Sequence, residues 1–335
     1  MECVIITGCR GMDGSILSEK YLAKGYKVIG IDRWEATGAY PNMENLLLDD
    51  NFIFETGDIT EKEFMYRMIK KYQPETLYNM AAISLVPESF KIPDKVFDIN
   101  LRSVLNMLEI IREHFPKTKF YQASTSEQIG ENTDFPQNTD SRMVPNSPYA
   151  IAKLASYNLV RCYRSAFGIF AVNGMLWNHE GERRGPMFVT RKITLHVAEQ
   201  VRENSGEPLQ IGNMDAFRDW GYANNYCDAM ILMMESETPD DYAVNTGEAH
   251  SVREFIEEVY SNVDIKIRWE GEGMNEKGYN EYDELMVEVN PKFYRPVEVP
   301  YLHGDNSKIQ EKLGWEPTVK FKELAKIMIE HDLKE

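Results

Sequence analysis

Tyr149 and Lys153 stand four residues apart in SPYAIAK, which puts both on one face of a helix. A phenol beside a cationic amine is a candidate general base, because a nearby positive charge favours phenolate. Tyr66 and Lys70 form another such pair, so the spacing needs company to mean catalysis. It has company: the preceding strand-like run ends in QASTSE, bringing Ser124, Thr125, Ser126 and Glu127 to one edge. Thr125 can anchor or relay at a substrate oxygen. Glu127 supplies a carboxylate for a second proton transfer.

A second constellation opens the chain. TGCRGMDG places Gly8, Gly11 and Gly14 between an apolar run, Cys3 to Thr7, and a helix-periodic stretch. In that setting the glycines allow a tight turn, close backbone approach to a pyrophosphate and close helix–strand packing, with the helix N-terminus facing the phosphates. Asp32 follows at the end of the second strand, where a carboxylate accepts from an adenosine ribose hydroxyl. Arg33 stands beside it and can pair a 2′-phosphate. Asp58, in GDIT after the third strand, is placed to accept from an adenine amino group.

These residues need strand ends and helix starts to hold them. Strand-like runs recur at Tyr26 to Ile31, Phe52 to Glu55, Thr76 to Tyr78, Lys119 to Gln122 and Phe170 to Leu176, each followed by a helical pattern. Such alternation predicts an α/β fold: a Rossmann-type, doubly wound parallel sheet with right-handed crossovers. After about Met187 the pattern changes to helices at Val189 to Arg202, Tyr222 to Met234 and Val252 to Tyr260, separated by short strand-like pieces. The expected division is a dinucleotide-binding domain over 1–186 and a smaller α/β substrate lobe over 187–335, with strand and helix returns to the first. Glu270 to Tyr294 reads as a long loop. Ser307 to Leu313 and Phe321 to Asp332 read as closing helices.

The 335 residues carry 37 Lys or Arg against 54 Asp or Glu, a net charge of −17. That field opposes a polyanion, so nucleic acid is not an expected partner. Apolar runs are far too short to span a bilayer, and no signal-like segment begins the chain. The four cysteines, Cys3, Cys9, Cys162 and Cys227, lack metal-like spacing and are too few for a disulfide framework; they suit the cytoplasm. A phosphate-bearing ligand must therefore be met by backbone N–H groups and local arginines.

TGCRGMDG, GDIT, YQASTSE, SPYAIAK, WNHEGERRG, FVTRKIT, GNMDAFRDWG, SVREF and NPKFYRP occur in this order from Met1 to about Leu333, and together they resemble the GDP-mannose 4,6-dehydratases of the extended short-chain dehydrogenase/reductase superfamily. The resemblance implies catalytic roles for Thr125, Glu127 and Tyr149, supported by Lys153. For the cofactor it implies Gly8, Gly11, Met12, Asp13, Gly14, Asp32, Arg33, Asp58, Ile59, Ala81, Ala82, Ser84, Tyr149, Lys153, His179 and Arg184. A GDP-sugar would meet Ser84, Ser89, Asn178, Val189 and Lys192, with Arg218 and Arg295 on the diphosphate and Glu298 on guanine. NADP is the implied cofactor, with NAD the close alternative because of Asp32. A homodimer or homotetramer is implied, paired through helices such as Pro93 to His114 and Ser147 to Phe167.

Three departures stand out. Met12 replaces a usual glutamine, Ile83 and Leu85 stand at positions usually polar, and the second strand ends in Asp32, Arg33, Trp34 where Val-Arg-Arg is usual. They bear on sugar and cofactor preference. The alternatives are a dehydratase for another GDP-sugar such as a GDP-heptose, a GDP-sugar epimerase or reductase, and a non-catalytic dinucleotide sensor. Glu127 argues against the second, and Tyr149 with Lys153 against the third.

Overall fold

The computed structural model describes residues 2–33, 41–203, 206–294 and 299–334. Arg295 and Glu298, expected on the diphosphate and the guanine, lie outside the described residues, as does Trp34.

Six strands, β1 (Cys3–Thr7), β2 (Lys27–Asp32), β3 (Phe52–Thr56), β4 (Thr76–Asn79), β5 (Lys119–Thr125) and β6 (Ala171–Leu176), form a parallel sheet with the strand Asp241–Val244. The order is β3-β2-β1-β4-β5-β6 and then Asp241–Val244. The direction of winding reverses between β1 and β4, and ligands of such sheets sit at the carboxyl ends of the strands beside that reversal. Period-2 alternation explains the two helix layers. Val4, Ile6, Val28, Tyr78 and Tyr121 pack on one face. Ile5, Ile29, Ile31, Leu77 and Phe120 pack on the other. Both faces are apolar, so both must be covered.

Local signals set the helices that matter. α1 (Met12–Ala23) starts at Gly11, which has extended backbone and no side-chain cap, and its first turn carries Asp13. The helix Pro148–Phe167 starts with Ser147 accepting from the Ala150 N–H and Pro148 in the first turn, and stops at Gly168 with φ +67°. Both are strong start and stop signals. Pro93–Phe97 and Ser103–His114 are joined through a π-type turn, Asp98–Arg102.

The second lobe wraps helices Val189–Glu203, Val252–Ser261 and Phe321–Asp332 around a core with Ile193, Trp220, Phe255, Val287 and Met328. The helix Ala223–Glu235 is a return to the parallel sheet: Tyr226, Cys227, Met230 and Met234 join the cluster that holds α1, β5 and β6. One expectation is corrected here. The stretch 270–294 is not a long loop. Arg268–Glu270, Lys277–Tyr279 and Leu285–Val289 form a sheet with Leu209–Ile211. Strands of three to five residues with glycine and tyrosine inside leave too little alternation to see in sequence, and the partner Leu209–Ile211 lies far along the chain. No helix among the described residues is long and apolar enough to cross a membrane.

Candidate active site

The glycine turn is built for a close approach. Gly8 has φ +70°, and a Cβ there would stand 2.8 Å from the Ala81 nitrogen, while a Cβ on Gly14 would stand 2.3 Å from the Gly8 oxygen. The turn is pinned by Gly8 N–H donating to the Ile31 oxygen (2.8 Å) and Gly11 N–H to the Gly8 oxygen (3.0 Å). With no side chain capping Gly11, the first-turn amides of α1 form an anion site, the cradle a dinucleotide diphosphate requires. The Met12 side chain is buried in the sheet core, which leaves only its backbone toward the turn. Ile59 is buried as well, whereas Ala81 and Ala82 are half-buried and Ser84 is exposed on the loop after β4.

At the end of β2 the Asp32 carboxylate accepts from the Arg10 N–H (3.2 Å) and the Arg33 N–H (2.8 Å). The Arg10 guanidinium donates to the Arg33 carbonyl at 3.1 Å. Sequence reading missed Arg10; its place inside the glycine turn, level with Asp32, was the available signal. Asp58 accepts from the Thr60 N–H and hydroxyl at 2.9 and 2.8 Å, which fixes the turn after β3.

Thr125 ends β5 and Glu127 lies on the short helical turn that follows, its N–H donating to the Thr125 hydroxyl oxygen at 3.2 Å. Tyr149 is buried against this edge. Burial pushes its phenol up to about 12, the Thr125 hydroxyl pulls it down, the Glu127 carboxylate pushes it up and Arg184 pulls it down. Thr125, Glu127 and Arg184 therefore all act on one hydroxyl. Lys153 donates to the Ala123 carbonyl at 2.8 Å, and its amine is 6.0 Å from the Tyr149 ring centroid. Burial lowers its own value to about 8. The expected lowering of the phenol by Lys153 is thus not what the free chain shows, because desolvation dominates and the amine is aimed at a strand carbonyl.

Opposite, His179 follows β6 with Nε2 2.9 Å from Asp13 Oδ2 and Nδ1 2.8 Å from the Trp177 carbonyl. Arg184 pairs with Glu180 at 2.9 Å and lies 3.5 Å from the Phe188 ring centroid. The loop after β4 is held by Asn100, unnoticed in sequence, whose amide accepts from the Ile83 N–H (2.9 Å) and donates to the Ile83 carbonyl (3.0 Å). Ser89 is fully buried and donates to the Val86 carbonyl at 2.6 Å, so its hydroxyl supports a short helix instead of presenting to a sugar.

The remaining expected residues fall in and beside the second lobe. Lys192 donates to the Gln210 carbonyl (2.6 Å) and sits 3.3 Å from the Phe293 ring centroid, and burial lowers its amine to about 8. Asn290 donates to the Gln210 side chain at 3.0 Å. Val189 is half-buried at the start of the same helix as Lys192. Asn178 accepts the Gly221 N–H through its carbonyl at 2.9 Å, and Arg218 is buried, donating to the Phe217 carbonyl at 2.8 Å.

The family model described as GDP-mannose 4,6 dehydratase matches residues 5–328. The chain belongs to that family. Among its relatives, the GDP-mannose 4,6 dehydratase of Cricetulus griseus is 41% identical over 99% of this chain and 92% of its own. The solved UDP-glucose 4-epimerase of Thermotoga maritima with UDP-glucose is 26% identical, covers 99% of both chains and superposes with a TM-score of 0.84. The dTDP-glucose 4,6-dehydratase of Bacillus anthracis in complex with NAD shares the fold at 19% identity, covering 100% of this chain and 97% of its own, with a TM-score of 0.83. Membership in the GDP-mannose 4,6-dehydratase family makes this chain a hydro-lyase of the nucleotide-sugar class.

Proposed function

We propose that the protein converts GDP-mannose to its GDP-4-keto-6-deoxy sugar at Thr125, Glu127, Tyr149 and Lys153. The observation that carries this is the Glu127 carboxylate on the turn directly after Thr125, within electrostatic reach of the Tyr149 phenol. Tyr149 takes the C4 hydroxyl proton, with the Thr125 hydroxyl anchoring that oxygen. A C4 ketone acidifies C5–H; Glu127 removes that proton and hands it to the C6 oxygen, which leaves as water. The proton held by Tyr149 balances the one C5 regains. When bound, the nicotinamide accepts two electrons with the C4 hydrogen, returns them at C6, and adds the positive charge that a phenol at about 12 requires to act as a base. Lys153, with two of its three N–H bonds unused among the described residues, is placed to hold the nicotinamide ribose. Mass spectrometry of GDP-mannose after incubation with the enzyme tests the reading: loss of one water supports it, and an unchanged nucleotide sugar overturns it.

NADP is the cofactor we infer. The Arg10 guanidinium reaches the Arg33 carbonyl beside Asp32, Arg33 is the next residue, and both Asp32 oxygens are engaged by backbone N–H groups, which leaves two arginines against one carboxylate. Chromatography of the nucleotide released on denaturation decides; NAD alone would show that Asp32 governs. For guanine and the diphosphate we propose Lys192, Asn178, Val189 and Arg218, with Phe293 as a stacking wall, and calorimetry with GDP against UDP tests it. A homo-oligomer fits the exposed Phe97, Leu105, Ile151 and Phe167 on the helices Pro93–Phe97, Ser103–His114 and Pro148–Phe167. Light scattering that returns a monomer at micromolar concentration would remove that proposal. Free cysteines, three of them buried, fit a cytoplasmic setting.

A further inference from the structure

Both ring nitrogens of His179 face groups that can only accept a hydrogen bond: the Trp177 carbonyl at 2.8 Å and the Asp13 carboxylate at 2.9 Å. A neutral imidazole has one N–H and would leave one of these contacts as oxygen against a nitrogen lone pair. Two acceptors on one ring therefore require two N–H bonds and a positive charge. The pair joins two walls of the cofactor cleft, since Asp13 is in the first turn of α1 and His179 opens the short strand His179–Glu180 that comes after β6. Asp13 Oδ1 is buried with no hydrogen-bond partner among the described residues, so that half of the carboxylate is offset by neighbouring positive charge alone.

A carboxylate in the first turn of α1 suits the helix dipole but opposes a diphosphate on the same amides. We propose that His179 is a positioning residue for the cofactor, a buried imidazolium that cancels the Asp13 charge and so lets the glycine turn accept a dinucleotide diphosphate. The inference rests on the assignment of the dinucleotide to this turn.

The surroundings agree. From the helix Ala223–Glu235, Tyr226 stacks on the imidazole with centroids 4.8 Å apart and planes at 25°, and the Cys227 thiol lies 3.7 Å from the Asp13 carbonyl. From β5, Tyr121 adds a phenol. Burial raises all three well above their ordinary values, so they stay neutral. The charged groups acting on the ring are Asp13 and, less, Arg184. Burial alone would discharge the imidazole, yet Asp13 carries it above the usual histidine range; burial likewise opposes the Asp13 charge, and His179 and Arg184 hold that carboxyl below its usual range. The charge on His179 is lost as pH rises through this raised value.

The experiment uses the full chain stripped of nucleotide. Nitrogen-resolved NMR of His179 at pH 7 is expected to show both ring nitrogens protonated; a neutral tautomer overturns the inference. NADPH affinity, read by fluorescence, is expected to fall on the order of 10- to 100-fold in His179→Gln, the scale of an unscreened like charge near a phosphate. In the His179→Gln background, Asp13→Asn restores affinity to within about fivefold of the parent. Equal weakness in the single and double variants would mean mechanical support only and overturns the proposal. As pH rises through the raised value of His179 the parent loses affinity that the double variant keeps; Lys153, near 8, titrates in both and cancels. Parent binding that His179→Gln leaves unaltered removes this inference alone, whereas no NADPH binding by the parent removes the cofactor assignment and the inference together.

Discussion

The two halves of the molecule position their functional groups by different means. In the parallel-sheet half, backbone does the positioning: strand ends present Thr125 and His179, a glycine turn presents amides, and a well-capped helix carries Tyr149 and Lys153. In the second lobe, side chains do it. Arg191 and Asp332, both buried, pair at 2.5 Å and tie the helix bearing Val189 and Lys192 to the last turn of the final helix. Arg253 joins Glu276 and, at 2.8 Å, Asp215. Lys192 meets Gln210 and Phe293 from segments far apart in the chain. A backbone-built site needs only a short motif. A side-chain-built one needs distant partners to arrive together.

If that contrast is real, chemistry and recognition separate. The largest effect is expected from Glu127→Gln, with kcat falling about 10²- to 10⁴-fold because the amide can neither take the C5 proton nor give one to the C6 oxygen. NADPH titration should be unchanged in the same variant. Near-normal product formation by mass spectrometry would remove Glu127 from the mechanism.

Next is Asp332→Ala, which leaves the Arg191 guanidinium buried without this carboxylate and should lower stability to urea by about 3–5 kcal/mol. GDP affinity should fall with it, while NADPH affinity in folded protein holds. Equal loss of both ligands would show the halves to be one energetic unit.

A spectroscopic test sharpens the other side. The phenol difference between parent and Tyr149→Phe should titrate near 12 in the nucleotide-free chain and move down by at least about one unit on adding NADP+, since a nearby positive charge favours phenolate. No movement would show that the ring charge does not reach Tyr149.

The smallest expected effect belongs to Arg10→Ala. NADPH should weaken by roughly 3- to 10-fold with NADH unaffected, as expected of one partly exposed guanidinium on a phosphate. Equal weakening of both by calorimetry would make Arg10 a support for the turn alone.

Much of the parallel-sheet half was legible because each part is local. The strand starts at Phe52, Thr76 and Lys119, and the whole of both closing helices, follow from periodicity and boundary residues. The glycine turn and the Tyr149–Lys153 pair follow from spacing. Family membership was legible for the same reason, through motifs that are contiguous in the chain. The sheet inside 270–294 was not, since its strands are short and their register depends on Leu209–Ile211. Arg10 and Asn100 were missed because neither residue type signals its role: one acts from within a turn and the other clamps a peptide 17 positions away.

By itself the sequence determined the fold class, the glycine turn and the shared helical face of Tyr149 and Lys153, because periodicity, glycine spacing and helical faces act within a few residues. Tertiary structure alone decided the ionisation of those residues. Tyr149 is raised by burial rather than lowered by Lys153, the Lys153 amine is held down to about 8, and His179 is charged because two acceptors from different segments meet one ring. Charge state depends on desolvation and on partners brought together by folding, and neither is a local property of the chain.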